Sequence, residues 1–240
     1  MKVAHLSLAL LLLTAVHAST YDYYVFASEW AGSVCTQFAC TQASGISSTW
    51  FNIHGLWPSQ NANPLLPANC TNEPFNPALL SSQTKSDLVT YWSGLYSSAD
   101  AFHAHEWSKH GTCWNDNIGK NHQEDYFSTV IKVAHKVNVF SVLSKAGITP
   151  RAVPYPLIQI QQALQKVYGK TTISCSGAYI VEVRVCLDLN YNYINCPGNS
   201  TSNCPVTVNY PPLKLQGQHY AEIVIFDDET IDESSEDLFD

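Results

Sequence analysis

Residues 105–113, with the sequence HEWSKHGTC, decide how the rest of the chain is interpreted. In a helix, which turns by about 100° per residue, the four ionisable side chains of residues 105–110 lie within one face of about 140°. Trp107 falls outside that face and can pack into a core. Histidine is the side chain whose unperturbed pKa suits proton transfer near neutral pH. The stretch therefore indicates acid–base chemistry, against the plainer interpretation of a solvated helix surface.

A metal site is the first alternative for this stretch. The zinc-protease pattern H-E-x-x-H needs histidines at positions i and i+4, whereas here position i+4 is Lys109 and the second histidine is His110. An ammonium group among the ligands would repel a dication. The sequence thus favours a site without metal or cofactor, and a zinc hydrolase remains a minor alternative.

Residues 51–58, with the sequence FNIHGLWP, supply a partner for that stretch. They are apolar or aromatic apart from Asn52 and His54, which predicts a buried strand. His54 projects from this strand, and Gly55 allows a close backbone approach beside it. A single histidine here would more often be a satisfied core residue. Together with residues 105–110 it becomes a candidate acid or base.

The two stretches together resemble the ribonuclease T2 family of secreted acid endoribonucleases. The motif F-x-I-H-G-L-W-P is followed about fifty residues later by H-E-W-x-K-H-G-T-C, and the resemblance extends over roughly residues 21–226. It implies a single α+β domain with a central antiparallel sheet flanked by helices. It also implies metal-independent cleavage of single-stranded RNA through a 2′,3′-cyclic phosphate to 3′-phosphate products.

Roles for individual residues follow from the same resemblance. It implies that His110 is the base and His54 the acid, and that the two could exchange roles, since the reverse step uses the same pair. His105 is implied as a phosphate ligand. Lys109, together with Glu106, is expected to stabilise the charged pentacoordinate phosphorus.

The predicted base-binding residues depart from the family pattern. Trp57 and Phe102 are implied as stacking surfaces for a base, against the alternative of plain core packing. Ser59 occupies the position where many relatives have an aspartate that contacts the base. In the family a glutamine precedes the tryptophan of the first strand, which is Trp30 in this chain. The residue at the position of that glutamine is Ser28 or Glu29 here. We therefore expect low base specificity.

The ends of the chain differ from its middle. Lys2 and the apolar run at residues 6–16, ending before Ala18, predict a signal peptide at residues 1–18. The ribonuclease-like domain is expected at residues 19–226, in a protein that is secreted or delivered to a lysosome-like or vacuole-like acidic compartment. Residues 227–240 contain eight acidic side chains and no basic one, so they account for the whole net charge of −8. This segment is expected to be disordered.

The distribution of charge along the chain also limits which molecules it can bind. A protein that holds RNA tightly by its phosphates usually has a basic face, and this chain has no basic run. The composition therefore argues against an RNA-binding module and permits an enzyme that cuts single strands transiently. We expect RNA as the substrate, a monomer, no obligate protein partner and no membrane association. A secreted binding or signalling protein with an incidental ribonuclease site is the leading alternative.

Eight cysteines behind a signal peptide predict four disulfides, although counting alone leaves 105 pairings. The resemblance implies the pairs Cys35–Cys40, Cys70–Cys113, Cys175–Cys204 and Cys186–Cys196. Asn69 and Asn199 begin glycosylation sequons. Hydrophobic patterning predicts further elements: strands at residues 23–30, 178–189 and 221–226, and helices at residues 76–96, 124–146 and 156–168.

Overall fold

The computed structural model describes residues 21–40, 46–117, 122–197 and 203–214. Its strands are β1 (Tyr23–Glu29), β2 (Asn52–Ser59), β3 (Tyr155–Pro156), β4 (Thr172–Ser176), β5 (Tyr179–Leu187), β6 (Tyr193–Ile194) and β7 (Thr207–Val208). Its α-helices are α1 (Ala31–Gln37), α2 (Ser82–Tyr91), α3 (Ala99–Lys109), α4 (His122–Lys136), α5 (Val139–Lys145) and α6 (Leu157–Tyr168), and short 3-10 helices lie at Pro77–Leu79 and Gly111–Asn117. The predicted last strand, the signal peptide, the acidic segment and Asn199 lie outside the described residues.

An antiparallel sheet with the strand order β2-β1-β5-β4 forms the centre of the fold, and β6 pairs with β5. Strands β3 and β7 make a separate two-stranded ribbon. This mixture of helices with a central antiparallel sheet confirms the predicted α+β class. The short strands β3, β4, β6 and β7 were not predicted, because runs of two to five residues carry too little periodicity to stand out.

The two faces of the sheet carry different side chains, since successive residues of a strand point to opposite faces. Phe26, Ile53, Leu56 and Val185 belong to the main core, which residues of α4 and α6 complete. Each fully buried side chain of this kind contributes about 1.5–3 kcal/mol relative to leaving it in water. The opposite face carries a small apolar cluster that includes Trp57.

A β-bulge in β2 places His54. The pairing of β1 with β2 shifts register between Ala27 and Ser28, which face Gly55 and Ile53 respectively. His54 is therefore the extra residue of the bulge, without a partner in that ladder. A bulge of this kind redirects a side chain. Ile53 points into the main core, while His54 points to the other face, where its contacts lie.

Two predicted helices are wrong in extent. The helix predicted at residues 76–96 is a 3-10 helix followed by α2, which begins after Ser81, whose hydroxyl accepts from the Thr84 amide at 3.1 Å. The helix predicted at residues 124–146 is divided into α4 and α5. Asn138 interrupts it, because its side chain accepts from the Ser141 amide at 2.9 Å and caps α5.

The helix predicted around residues 105–110 is α3, which begins after the capping residue Ser98. His110 is its C-terminal capping residue, and its amide donates to the Glu106 carbonyl at 3.1 Å. The four disulfides join the pairs that the resemblance implies. Cys70–Cys113 holds the segment before residue 70 to the end of α3, where the Asn69 amide also donates to the Lys109 carbonyl at 2.9 Å.

None of the helices in the described part of the chain combines the length and the apolarity that a membrane span requires.

Candidate active site

His54 lies among three carboxylates that come from three different elements. Its Nδ1 is 2.5 Å from Oε2 of Glu182 on β5 and 3.8 Å from Oε1 of Glu29 on β1. Its Nε2 is 3.6 Å from Oε1 of Glu106 on α3. The His54 side chain is 12% exposed, whereas each carboxylate side chain is at most 2% exposed. This imidazole therefore links the sheet to the helix that carries the HEWSKHGTC motif.

The carboxylates determine the charge of His54. Burial lowers the pKa of its imidazole, but Glu29, Glu182 and Glu106 together outweigh burial and raise that pKa to about 9. Burial also raises the pKa of Glu29, while the pKa of Glu182 is lowered because Arg184 and His54 outweigh its burial. Near neutral pH the imidazole of His54 is therefore protonated and Glu182 is ionised.

Trp57 holds Glu106 in place. Its indole Nε1 donates to Glu106 Oε2 at 2.9 Å, and Glu106 Oε1 has no hydrogen-bond partner among the described residues. Burial raises the pKa of Glu106 to about 7, although His54, Trp57 and Lys109 act in the opposite direction. A Cβ at Gly55 would lie 2.1 Å from Glu106 Oε2. The predicted close approach at Gly55 is therefore an approach to this carboxylate.

His110 has the opposite electrostatic environment from His54. It is 6% exposed, and neither of its ring nitrogens has a hydrogen-bond partner among the described residues. Burial lowers its pKa well below the ordinary value, and the charges of Lys109, His54, His105 and Arg184 lower it further. The ring stacks on Trp57 with centroids 5.0 Å apart. We call His54, Trp57, Glu106, Lys109 and His110 the histidine site.

A cavity of about 490 Å³ adjoins the histidine site. Trp57, Lys109 and His110 of the histidine site line it, and Tyr23, Thr172 and Arg184 are among the other lining residues. Pro64 and Leu65 form part of its rim, and Leu65 is exposed. A cavity lined by both cationic and apolar side chains suits a nucleotide, which combines an anionic phosphate with an aromatic base.

The predicted base-binding residues are buried or half-buried. Trp57 is 6% exposed and packs against the rings of both His54 and His110. Phe102 is half-buried, with its ring centroid 5.6 Å from that of His54. Ser59 is fully buried, and its hydroxyl donates to the Trp57 carbonyl at 3.2 Å. Because the hydroxyl is buried and already bonded, nothing in this arrangement brings it to a base, and a contact between Ser59 and a base stays a prediction. His105, half-buried on α3, stays a predicted phosphate ligand.

Sequence reasoning missed Glu182 and Arg184. The segment VEVRVC at residues 181–186 places both on one face of β5, opposite Val183 and Val185. Two charged residues inside a strand that is otherwise apolar were the available signal. Arg184 Nε donates to Glu182 Oε1 at 2.5 Å, and its guanidinium carbon lies 4.9 Å from the centre of the Trp57 ring.

A metal ion could in principle be held by Glu29, His54 and Glu182, whose ligand atoms lie within 4.8 Å of one another. His54 Nδ1 and Glu182 Oε2 are already in direct contact, and Arg184 occupies the other oxygen of Glu182. A cation would have to displace a hydrogen bond and accept a guanidinium beside it. The donor set therefore fits a hydrogen-bonded charge cluster better than a metal centre.

Known proteins resemble this chain over most of its length. The sequence model of the ribonuclease T2 family matches residues 21–196. Ribonuclease 1 of Arabidopsis thaliana is 32% identical, over 88% of this chain and 99% of its own. Extracellular ribonuclease LE of Solanum lycopersicum is 30% identical, over 81% of this chain and 88% of its own. Intracellular ribonuclease LX of the same species is 30% identical, over 87% of this chain and 92% of its own.

A solved structure has the same fold. The crystal structure of RNase NT in complex with 5′-AMP superimposes with a TM-score of 0.69 at 28% identity, covering 80% of this chain and 98% of that one.

Proposed function

The chain belongs to the ribonuclease T2 family and is a ribonuclease, and we propose that it cleaves single-stranded RNA with His54 and His110 as its acid and base. One observation carries this assignment. The environments of the two histidines move their pKa values in opposite directions, since carboxylates hold His54 protonated, whereas burial and neighbouring cations hold His110 neutral. A pair of titratable groups separated in this way is what simultaneous acid and base catalysis needs.

The reaction uses the 2′-hydroxyl of the RNA as its nucleophile. Neutral His110 removes the 2′-hydroxyl proton, and the oxygen attacks phosphorus. The bond from phosphorus to the 5′-oxygen breaks, and His54 donates a proton to that oxygen. The products are a 2′,3′-cyclic phosphate and a free 5′-hydroxyl. Water then opens the cyclic phosphate to a 3′-phosphate, with the two histidines in exchanged roles.

Lys109 and Glu106 act on the charge that develops at phosphorus. Lys109 supplies a fixed positive charge beside His110 at the cavity wall. Glu106, in its neutral form, has an oxygen available to donate a hydrogen bond to a phosphoryl oxygen. His105, one turn earlier on α3, binds a phosphate oxygen. These are preorganised electrostatic contributions that need no metal.

The substrate is an unpaired strand. The cavity is large enough for one nucleotide, and a base held in a duplex would not reach it. With no aspartate after the Trp57-Pro58 pair and with Ser59 buried, apolar and stacking contacts dominate the recognition of the base. Base specificity is consequently low.

The protein acts as a monomer along the secretory pathway. Residues 1–18 form a cleaved signal peptide, residues 19–226 the catalytic domain and residues 227–240 an acidic tail. Asn69, which is exposed, and Asn199 are glycosylated. Secretion and delivery to an acidic compartment both fit this route, and one relative is named an extracellular and another an intracellular ribonuclease.

Cleavage of polymeric RNA at about pH 5 with excess chelator tests the proposal. We expect the wild type to remain active, and His54→Phe and His110→Phe each to lose nearly all activity while keeping the fold. His135→Phe is the matched control, because His135 is exposed and packs against Trp50 and Tyr91 instead of lining the cavity. Loss of activity with chelator, or more than about a tenth of the rate in either site variant, would contradict the assignment.

A further inference from the structure

Glu182 is a buried carboxylate that the reaction above does not use. It is 0% exposed in the central part of the sheet, where its backbone pairs with Glu29 of β1 and Ser174 of β4. Burying an ionised carboxylate is costly unless it is paired and hydrogen-bonded. Both of its oxygens are engaged, Oε1 by Arg184 Nε and Oε2 by His54 Nδ1, each at 2.5 Å.

Both contacts require an oxygen of the carboxylate to accept a hydrogen bond. Arg184 Nε can only donate, so it keeps Oε1 as an acceptor. With Glu182 ionised, Oε2 is also an acceptor, so the Nδ1 of His54 must carry a proton in either charge state of the ring. The only proton that the imidazolium can release is then the one on Nε2, and Nε2 is the nitrogen that faces Glu106.

We propose that Glu182 is a positioning residue for His54: its carboxylate, fixed by Arg184, binds Nδ1 and so reserves the Nε2 proton for the leaving 5′-oxygen. In the transfer, Nε2 loses its proton to that oxygen, Nδ1 keeps its own, and Glu182 stays ionised. The inference rests on the proposed function, because it takes His54 as the acid.

Other charged groups act on His54 or on its neighbours Glu182 and His110, and their effects must be distinguished from that of Glu182. These are Glu29 on β1, Glu106 on α3, His110 at the end of α3 and Arg184 on β5. Glu29 is the closest competitor, but its Oε1 is 3.8 Å from Nδ1 and accepts from the Tyr96 hydroxyl at 2.7 Å. Glu29 therefore contributes charge, whereas Glu182 contributes both charge and a hydrogen bond of fixed direction.

Nitrogen-15 NMR of the labelled wild type tests the hydrogen bond without any substitution. The ring of His54 is followed from acidic pH to above its pKa of about 9. We expect Nδ1 to remain protonated after titration and Nε2 to lose its proton. A neutral ring protonated at Nε2 would overturn the proposal, and this outcome does not depend on whether a variant folds.

Kinetics of Glu182→Gln test the role in catalysis. A glutamine has one acceptor oxygen, so it cannot satisfy Arg184 Nε and His54 Nδ1 together. We expect kcat to fall by about tenfold to a thousandfold with little change in KM, as for other residues that orient a catalytic histidine. We also expect the pH at which His54 titrates to fall. Glu29→Gln should lower that pH while reducing kcat less than Glu182→Gln does.

Glu73→Gln is the matched control, since Glu73 makes a carboxylate–histidine hydrogen bond with His122 away from the cavity. It should leave kcat/KM unchanged. Equal effects of Glu182→Gln and Glu29→Gln on kcat would reduce Glu182 to one charge among several and overturn the proposal. If Glu182→Gln shifts the titration of His54 in NMR but, in a Glu106→Gln background that removes the titration of Glu106, leaves the pH profile of cleavage unchanged, then His54 is not the acid, and it is the proposed function that fails.

Discussion

The indole nitrogen of Trp57 donates to Oε2 of Glu106 at 2.9 Å, and this bond joins the two stretches of sequence that carry the proposed catalytic residues. The ring of the same tryptophan stacks on His110 at 5.0 Å and meets His54 edge-on at 5.0 Å. Trp57 thus contacts the proposed acid, the proposed base and the carboxyl group of Glu106. Through these contacts Trp57 fixes the positions of the three groups, independently of any stacking contact with a base.

Trp57→Phe should reduce catalysis more than it reduces stability. Phenylalanine keeps most of the ring contacts but removes the donor, which leaves a buried carboxyl oxygen unsatisfied at a cost of about 1–3 kcal/mol. We expect kcat/KM to fall by about tenfold or more, as measured on a dinucleotide substrate. Trp114→Phe is the control, because that indole donates to the Tyr191 hydroxyl at 3.1 Å and Trp114 does not line the cavity. Equal losses in both variants would contradict a specific role for Trp57.

Glu106→Gln should move the alkaline limb of the pH profile. The histidines alone predict activity from below the ordinary histidine pKa up to about 9, because His110 is neutral and His54 charged throughout that range. Glu106 has a pKa raised to about 7, so below that pH it is neutral and can donate, and above it the anion repels phosphate. We expect kcat/KM of the wild type to decline above about 7. In Glu106→Gln, which cannot ionise, the decline should move towards about 9.

The measurement is kcat/KM as a function of pH for both proteins. It also tests the mildly acidic optimum that is expected when one histidine of a catalytic pair must be neutral and the other charged. The pKa of Glu106, raised by burial to about 7, predicts that this carboxyl group sets the alkaline limit of activity instead. An alkaline limb at the same pH in both proteins would show that Glu106 is not the group that titrates.

Ser59→Asp should destabilise the protein and leave its choice of base as it was. From the sequence this exchange is expected to raise the preference for adenine over uridine, through a carboxylate facing the base. Ser59 is fully buried, so the new carboxylate would be desolvated, and we expect the free energy of unfolding to fall by more than about 2 kcal/mol. Asn63→Asp at an exposed position is the control. A stable variant with a strongly altered ratio of ApU to UpU cleavage would show that the side chain at position 59 does reach the base.

Loss of the Cys70–Cys113 disulfide should cost more stability than loss of Cys35–Cys40. The first closes a separation of 43 residues and the second a separation of 5. Loop-closure entropy gives about 4 kcal/mol for the longer loop and about 2 kcal/mol for the shorter one. Paired replacement by serine and denaturant unfolding measure the difference. The longer disulfide also anchors the end of α3, so its loss should lower activity as well, whereas equal losses of stability would contradict the entropic ordering.

The sequence was sufficient for what depends on local pattern and motif. The aromatic and β-branched residues of the segment 23–30 predicted β1, and the two histidine stretches predicted the residues that the histidine site brings together. It was insufficient where a single polar contact overrides periodicity. The apolar pattern at residues 124–146 continues through Asn138, and only the bond from the Ser141 amide to its side chain shows why α4 and α5 are separate.

The electrostatic environment of the site could not be predicted from the sequence either. Nothing local to Glu29 or Glu182 indicates that the register of β1 against β5 sets them opposite each other, beside His54. The burial of Ser59 likewise depends on its place within the sheet, which a motif comparison does not contain.

The β-bulge at His54 makes β2 sensitive to the number of residues it contains. Ile53 and Leu56 both point into the main core although they are three residues apart, which a regular strand with a period of two does not permit. Removing any one residue between them would restore regular pairing, and the imidazole would be lost or turned away from Glu182. Single-residue deletions in β2 should therefore abolish activity even where each side chain tolerates exchange. Alignments of related chains should place no gap between Ile53 and Leu56.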